Sequence, residues 1–464
     1  MPETVNGEFS VGCREVALDP RWSPLTLSGT VGLQCLASVG SRAVARRYFG
    51  TDGVRGVVGE LITAELVERL GKAATLWADA DRRVFVGRDT RASGVALEEA
   101  FASGVVQAGG NAVLAGVLPT PAVALLALDL GVVISASHNP PEYNGVKFFD
   151  RDGQKLDDAT EEEIEFLLDA DGPGGGTVDH VGVAMDSYLE HIVDRFGSDL
   201  SALRICVDCA NGAYAGLAPR AFEQLGAQVS AIGNEPDGHN INAECGATDL
   251  RALQRAVVEQ EFDLGIAFDG DGDRMLAVDH LGNGIDGDQI VAILALHRRV
   301  PVVAVTSMTN LGFHRLMDER GIRVLTTDVG DRHVLEALRR EGAVLGGEQS
   351  GHIIWLDGHV TGDGLAAALL LCTALEGRTL AEAAAVMPRF PQVKENVPVR
   401  TRSLPASVVD EAERLNAQLD GNGRVLVRPS GTEPFVRVLA EAESEAEAAR
   451  LCGTIATLVR RELG

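Results

Sequence analysis

Three aspartates separated by single glycines, Asp269, Asp271 and Asp273 in FDLGIAFDGDGDR, follow an apolar run and carry the clearest chemistry in this chain. Glycine lets the backbone bend closely around a small cation while alternate carboxylates converge on it as hard oxygen ligands, which points to a divalent ion and to magnesium in particular. A calcium loop of the EF-hand kind starts with the same spacing. It then requires glycine at its sixth position and glutamate at its twelfth, where this chain has Arg274 and His280.

A second segment, VVISASHNPPEYNGVKFF, delivers Ser137 and His138 to a loop after an apolar run, with Lys147 where the next apolar run begins. A serine hydroxyl is a weak nucleophile until a base or cation is arranged around it, and a phosphoserine needs positive partners; His138 and Lys147 can supply both. On its own, S-x-S-H is also the composition of an ordinary turn, and the triple aspartate is what favours catalysis. In VRPSGTEPFVR, Arg428, Ser430, Gly431, Thr432 and Arg437 make an anion nest: small hydroxyls and backbone N–H groups around a glycine, flanked by guanidiniums that grip phosphate. In GGEQSGHI, Glu348 and Ser350 can hydrogen-bond sugar hydroxyls, with His352 near the reacting oxygen, although any polar turn can have this composition.

Two patterns are set aside. Gly282, Gly284 and Gly287 spell G-x-G-x-x-G, but the next strand ends without the acidic residue that would hold an adenosine ribose, and a hairpin explains the glycines. Cys206 and Cys209 form C-x-x-C inside a strand-like run with no second pair to complete a zinc site, so they read as packing residues. There is no P-loop signature.

The elements that must carry these loops alternate. VFVGRDT, ALEEAFASGVVQAGG and NAVLAGV read as strand, helix and strand; so do RICVDCANGA, LAPRAFEQLGA and QVSAIG, and again PVVAVTSM, LGFHRLMDERG and IRVLTTD. Three such units imply three α/β domains, and the segment after MPRFPQV suggests a smaller α+β domain. The expected division is a poorly ordered extension over 1–45, then domains at 46–180, 181–282, 283–388 and 389–464.

Length and charge narrow the class. At 464 residues the chain can hold several cores. A formal charge of −26, with 4 lysines (Lys72, Lys147, Lys155, Lys394) among 41 basic residues, excludes a nucleic-acid partner, which demands a basic face. Such a surface suits a protein living in concentrated salt, and a GC-rich genome that favours arginine codons produces the same bias. No apolar run approaches a membrane span, and the first residues do not resemble a secretion signal, so the cytoplasm is expected. Seven cysteines scattered over this length fit reduced thiols.

Taken together and in this order, the four motifs resemble the α-D-phosphohexomutase superfamily from Arg47 to the C-terminus. The resemblance implies four domains around a central cleft, three of them related α/β units with mixed, mainly parallel sheets and the last a phosphate-binding α+β domain. It implies one Mg²⁺ per chain on Ser137, Asp269, Asp271 and Asp273, and a Ser137 phosphorylated at rest. It also implies a hexose 1,6-bisphosphate as intermediate and activator, with Arg55 of RYFGTDGVRG facing the reacting phosphate. Arg55, His138, Lys147 and Arg274 would neutralise charge and move protons. FGTDGVRG, GHNINAECGATDL, DGDQI, TDVGDRHVLE and GEQSGH are similar to the branch acting on glucosamine phosphates. PPEYNG is similar to the mannose and glucose branch, which keeps those hexose phosphates open as substrates. A monomer or homodimer is expected, and a non-catalytic sugar-phosphate sensor is the reading from another class.

Overall fold

The computed structural model describes residues 47–464 except Thr51, Asp79, Ala80, Arg402 and 431–433. The extension expected over 1–45 therefore lies outside the described residues, as do Gly431 and Thr432 of the anion loop.

Apolar β-branched runs pair into four sheets among the described residues. The first contains β1 (Val54–Val57), β2 (Arg83–Arg88), β3 (Asn111–Val117), β4 (Leu130–Ile134), β5 (Tyr143–Asp150) and β6 (Thr177–His180), in the order β1-β5-β4-β2-β3-β6. The second contains β7 (Arg204–Asp208), β8 (Gln228–Ile232), β9 (Leu264–Phe268), β10 (Met275–Asp279) and β11 (Gly284–Ile285), in the order β11-β10-β9-β7-β8. The third contains β12 (Val302–Thr306), β13 (Arg323–Thr327), β14 (Leu345–Gly347) and β15 (Ile353–Trp355), in the order β13-β12-β14-β15. The fourth is an antiparallel trio of β16 (Gln392–Pro398), β17 (Gly423–Pro429) and β18 (Phe435–Ala442), in the order β16-β18-β17.

The first three sheets share one plan. Parallel strands joined by helices lead to one (β4, β9 or β14) whose successor (β5, β10 or β15) returns antiparallel. The loop at each reversal lies at the carboxyl end of a parallel strand, where ligands collect in α/β sheets. Those three loops carry the serine, the aspartates and GEQSGH. The glycines set aside as a hairpin do close one, since β10 pairs with β11 through Ala277↔Ile285 and Val278↔Gly284.

Helix Gly364–Leu375, whose apolar run is too short for a membrane, is buried all round and lies in the largest apolar core, to which all three α/β units contribute. No helix among the described residues is long and apolar enough to cross a membrane. The antiparallel trio packs a separate core with helices Ala406–Leu419 and Glu445–Leu463. Cys206 and Cys209 are fully buried, and burial first of all pushes the Cys206 thiol up to about 12, which suits packing rather than reactivity.

The register of β2 against β4 is pinned by Asp129. Its carboxylate accepts from the Arg83 backbone N–H at 3.0 Å, from Arg83 Nε and Nη2 at 3.1 Å each, and from Arg151 Nη2 at 3.0 Å. The Arg83 hydrogen bonds above all hold its pKa down to about 2 against burial. A depressed acid stabilises the fold above its unfolded pKa of roughly 4 and loses that contribution as pH falls toward about 2. Asp129→Asn is expected to cost about 1–2 kcal/mol at pH 7, with a urea midpoint that converges on the parent's as pH drops from 4 to 2. A gap of constant size across that range would remove this role.

Candidate active site

The loop between β4 and β5 holds Ser137 in the left-handed region at φ 51°, a conformation that costs a non-glycine residue about 1–3 kcal/mol and persists only under outside restraint. The restraint is Arg91, 1% exposed, whose guanidinium donates to the carbonyls of Ser137 (2.9 Å), Asn139 (2.8 Å) and Tyr143 (3.0 Å), and to that of Pro140. Arg91 is fixed in turn by Asp89 at 2.9 Å, which also accepts from Ser135 Oγ at 2.6 Å, while Ser135 Oγ takes the Ser137 N–H at 2.9 Å. From the second sheet's unit, Asn242 Nδ2 adds bonds to the Ser137 and Asn139 carbonyls at 2.9 and 3.1 Å. Asp89, Arg91 and Asn242 are not singled out by sequence reasoning. The one local signal is a D-T-R triplet directly after the apolar strand β2.

Ser137 Oγ donates to Asp269 Oδ2 at 2.6 Å across 132 residues of chain, so the serine turn and the D-G-D-G-D bend meet. Gly270 makes the approach possible, because a Cβ there would stand 2.7 Å from the Ser137 carbonyl oxygen. Asp269 Oδ1 accepts the N–H groups of Gly272 and Arg274 at 3.1 Å each, and Asp271 Oδ2 accepts from Thr120 Oγ1 at 2.6 Å. Ligand oxygens of the three buried carboxylates all lie within 4.8 Å of one another, and Asp271 Oδ1 and Asp273 Oδ1 are buried without a hydrogen-bond partner among the described residues. Burial, then Asp273 and Asp271, push Asp269 well above the ordinary carboxylate range. Three crowded anionic oxygen donors with orphaned atoms fit a hard divalent cation such as magnesium.

The cationic side chains converge on the same place. Lys147 is buried, with Nζ 2.8 Å from Asp271, 3.2 Å from Asp273 and 3.2 Å from Asp52; burial opposes its charge, but those carboxylates prevail and raise its pKa. His138 Nδ1 lies 3.2 Å from Ser137 Oγ, and burial followed by Arg274 and Arg55 lowers its pKa to about 4. A neutral imidazole beside that hydroxyl can accept its proton. Arg55 bonds Asp52 at 2.8 Å and Asn139 at 3.4 Å, and Arg274 Nε stands 3.8 Å from Asp273.

From the third sheet's unit, Glu348 accepts the Gly330 N–H at 3.0 Å and the Ser350 hydroxyl at 3.5 Å. His352, on the same loop, faces two carboxylates. It is 3% exposed, with Nδ1 3.7 Å from Asp273 and Nε2 3.4 Å from Asp331, and these two carboxylates draw the imidazole to the aspartate loop. On the C-terminal trio, Arg428 and Arg437 are direct cross-strand partners. Like charges so paired destabilise a sheet unless an anion lies between them. Burial first and Arg437 second lower the pKa of Arg428, while Asp328 and Glu348 act in the opposite sense, so this corner lies near the loop that carries Glu348. Ser430 is buried beside them, its N–H bonded to the Phe435 carbonyl at 2.8 Å.

Comparison with known proteins gives a consistent result. Residues 46–172, 186–282 and 286–390 match alpha/beta/alpha domains I, II and III described as phosphoglucomutase/phosphomannomutase, and 376–458 match the C-terminal domain of the same description. A Clostridium acetobutylicum protein called phosphoglucosamine mutase is 45% identical over 446 residues, 90% of this chain and 99% of its own. A phosphoglucomutase/phosphomannomutase family protein from Burkholderia thailandensis has a crystal structure similar at TM-score 0.76 and 27% identity, over 89% of this chain and 97% of that one. At 20% identity and TM-score 0.68, Aspergillus fumigatus N-acetylphosphoglucosamine mutase, crystallised with GlcNAc-6P and magnesium, shares the fold over 91% of this chain and 97% of its own.

Proposed function

The chain belongs to the phosphoglucomutase/phosphomannomutase family, and from that premise we propose that it interconverts glucosamine 6-phosphate and glucosamine 1-phosphate, an isomerase reaction carried by a phosphoserine at Ser137 and a 1,6-bisphosphate intermediate. The observation that carries this reading is the 2.6 Å contact of the Ser137 hydroxyl with the aspartate loop, beside Arg55, His138, Lys147 and Arg274.

In this reading the division into 46–180, 181–282, 283–388 and 389–464 gives each domain one loop of the site. Arg428, Ser430, Gly431, Thr432 and Arg437 hold the phosphate that does not react, and Glu348 and Ser350 take sugar hydroxyls. His352 belongs to the same sugar-binding set and sits near the reacting oxygen, beside Asp273. Asp269, Asp271 and Asp273, together with a phosphoserine at Ser137, would hold magnesium, which would supply positive charge against the transferring group. The sugar's C1 oxygen attacks the phosphorus of phosphoserine, Ser137 Oγ leaves, and the hydroxyl proton passes to Oγ through His138. Arg55 and Lys147 balance the equatorial oxygens, so positioning and electrostatics do most of the catalysis. The bisphosphate then turns end for end and returns its 6-phosphoryl group to Ser137. The separate core of the C-terminal domain lets that domain swing while the other three hold the phosphoserine still. The cytoplasm and a monomer or homodimer complete the proposal.

The test compares turnover of glucosamine 6-phosphate with that of mannose and glucose 1-phosphates, alongside intact-mass measurement. The amino sugar is expected to give the highest kcat/KM, with a partial species heavier by about 80 Da, one phosphoryl group, mapping to SASHNP. Inertness toward all three sugars, with no such species, would leave a binding protein instead.

A further inference from the structure

Resting on this mutase reading, we propose that Lys155 is a positioning residue that couples the sugar-binding loop to the two cations facing the transferring phosphoryl group. Its Nζ lies 2.7 Å from Asp52 Oδ1 and 2.6 Å from Asp331 Oδ2, and its side chain is 7% exposed. Asp52 belongs to the first α/β unit and Asp331 to the third, so one ammonium joins elements 279 residues apart in sequence (331 minus 52).

On one side, the other oxygen of Asp52 is shared by Arg55 Nη2 at 2.8 Å and Lys147 Nζ at 3.2 Å, so the orientation of this carboxylate sets the spacing of the two cations. On the other side, Asp331 opens helix Asp331–Glu341, and the Gly330 N–H immediately before it is the donor to Glu348. The contacts close into a ring: Asp52, Lys147, Asp273, His352, Asp331 and Lys155, with successive polar atoms between 2.6 and 3.7 Å apart. Every neighbour in it is of opposite kind, and all three α/β units contribute. The backbone of Lys155 is itself anchored by a bridge to Phe149 on β5, the strand that also bears Lys147. Lysine is scarce in this chain, 4 of 41 basic residues, yet it occupies both of the ring's ammonium positions, where a compact charge with three donors serves several carboxylates better than a planar guanidinium.

Loss of Lys155 frees Asp52 to rotate and lets the Glu348 loop shift relative to Arg55 and Lys147. The phosphate grip of Arg428 and Arg437 lies elsewhere and stays intact. Misplacement of charged groups by about 1 Å costs up to roughly 100-fold in rate. Lys155→Met is therefore expected to lower kcat on glucosamine 6-phosphate about 10- to 100-fold, with KM within about threefold of the parent. Asp331→Asn, which keeps a hydrogen-bond acceptor for Lys155, gives a smaller drop and covers the case in which Lys155→Met does not fold. The double variant is no slower than Lys155→Met alone, because residues acting through one contact do not add. The coupling is overturned by a kcat within twofold of the parent in Lys155→Met or, should that variant not fold, in Asp331→Asn. It is equally overturned by losses that multiply in the double variant, or by KM rising in step with the fall in kcat. A parent protein inert toward every sugar phosphate would instead remove the mutase reading on which the coupling stands.

Discussion

Ser137→Ala is expected to reduce mutase turnover by at least about a thousandfold, since the Ser137 hydroxyl is the one placed against both Asp269 and the imidazole of His138 among the described residues. Alanine keeps the Cβ and so meets the same backbone demand at φ 51°, which is imposed by Arg91, Asp89 and Asn242 rather than by the serine hydroxyl. The side chain itself makes two contacts, to Asp269 and His138, so the melting temperature should move by no more than a few degrees. The species heavier by about 80 Da should vanish with the activity. A variant that is folded and still turns over above about one part in a hundred would place the phosphoryl carrier on another residue.

Asp271→Asn should have the next largest effect, and its readout does not depend on activity alone. In the parent, magnesium is expected to raise the melting temperature, because a ligand at about 100 times its Kd adds roughly 2.7 kcal/mol to stability. With Asp271 neutral, two anionic donors remain and Lys147 keeps Asp52 and Asp273, so the metal-free protein should melt close to the parent. The magnesium-dependent rise should shrink to near zero at the same concentration, with turnover down by about 100-fold or more. Chelator should bring the parent to the same state, and added magnesium should reverse it. An undiminished rise in the variant would mean that the cation sits elsewhere.

The charge that makes this site work also explains its architecture. Three carboxylates packed together repel one another, and the protein answers with Lys147, Arg274 and His352 from different domains. Removing a cation from such a buried set leaves carboxylates uncompensated, whereas removing a cation together with its carboxylate partner is far milder. This is why the double variant at Lys155 and Asp331 is more informative than either single change.

The sequence by itself determined whatever depends on near neighbours. Apolar runs became β4, β9 and β12, and single glycines between aspartates gave the tight bend that holds Asp269, Asp271 and Asp273 together. The hairpin over Gly282 and Gly284 and the strand placement of Cys206 were equally local. Tertiary structure alone decided what depends on contacts between distant segments. That Arg91 clamps the serine turn, that His352 stands between Asp273 and Asp331, and that Lys155 bridges Asp52 and Asp331 are not written in any run of adjacent residues. Each follows from where separately folded sheets place their reversal loops. A buried charge takes whichever opposite charge that packing brings within reach, because burying it unpaired costs more than any local preference can offset.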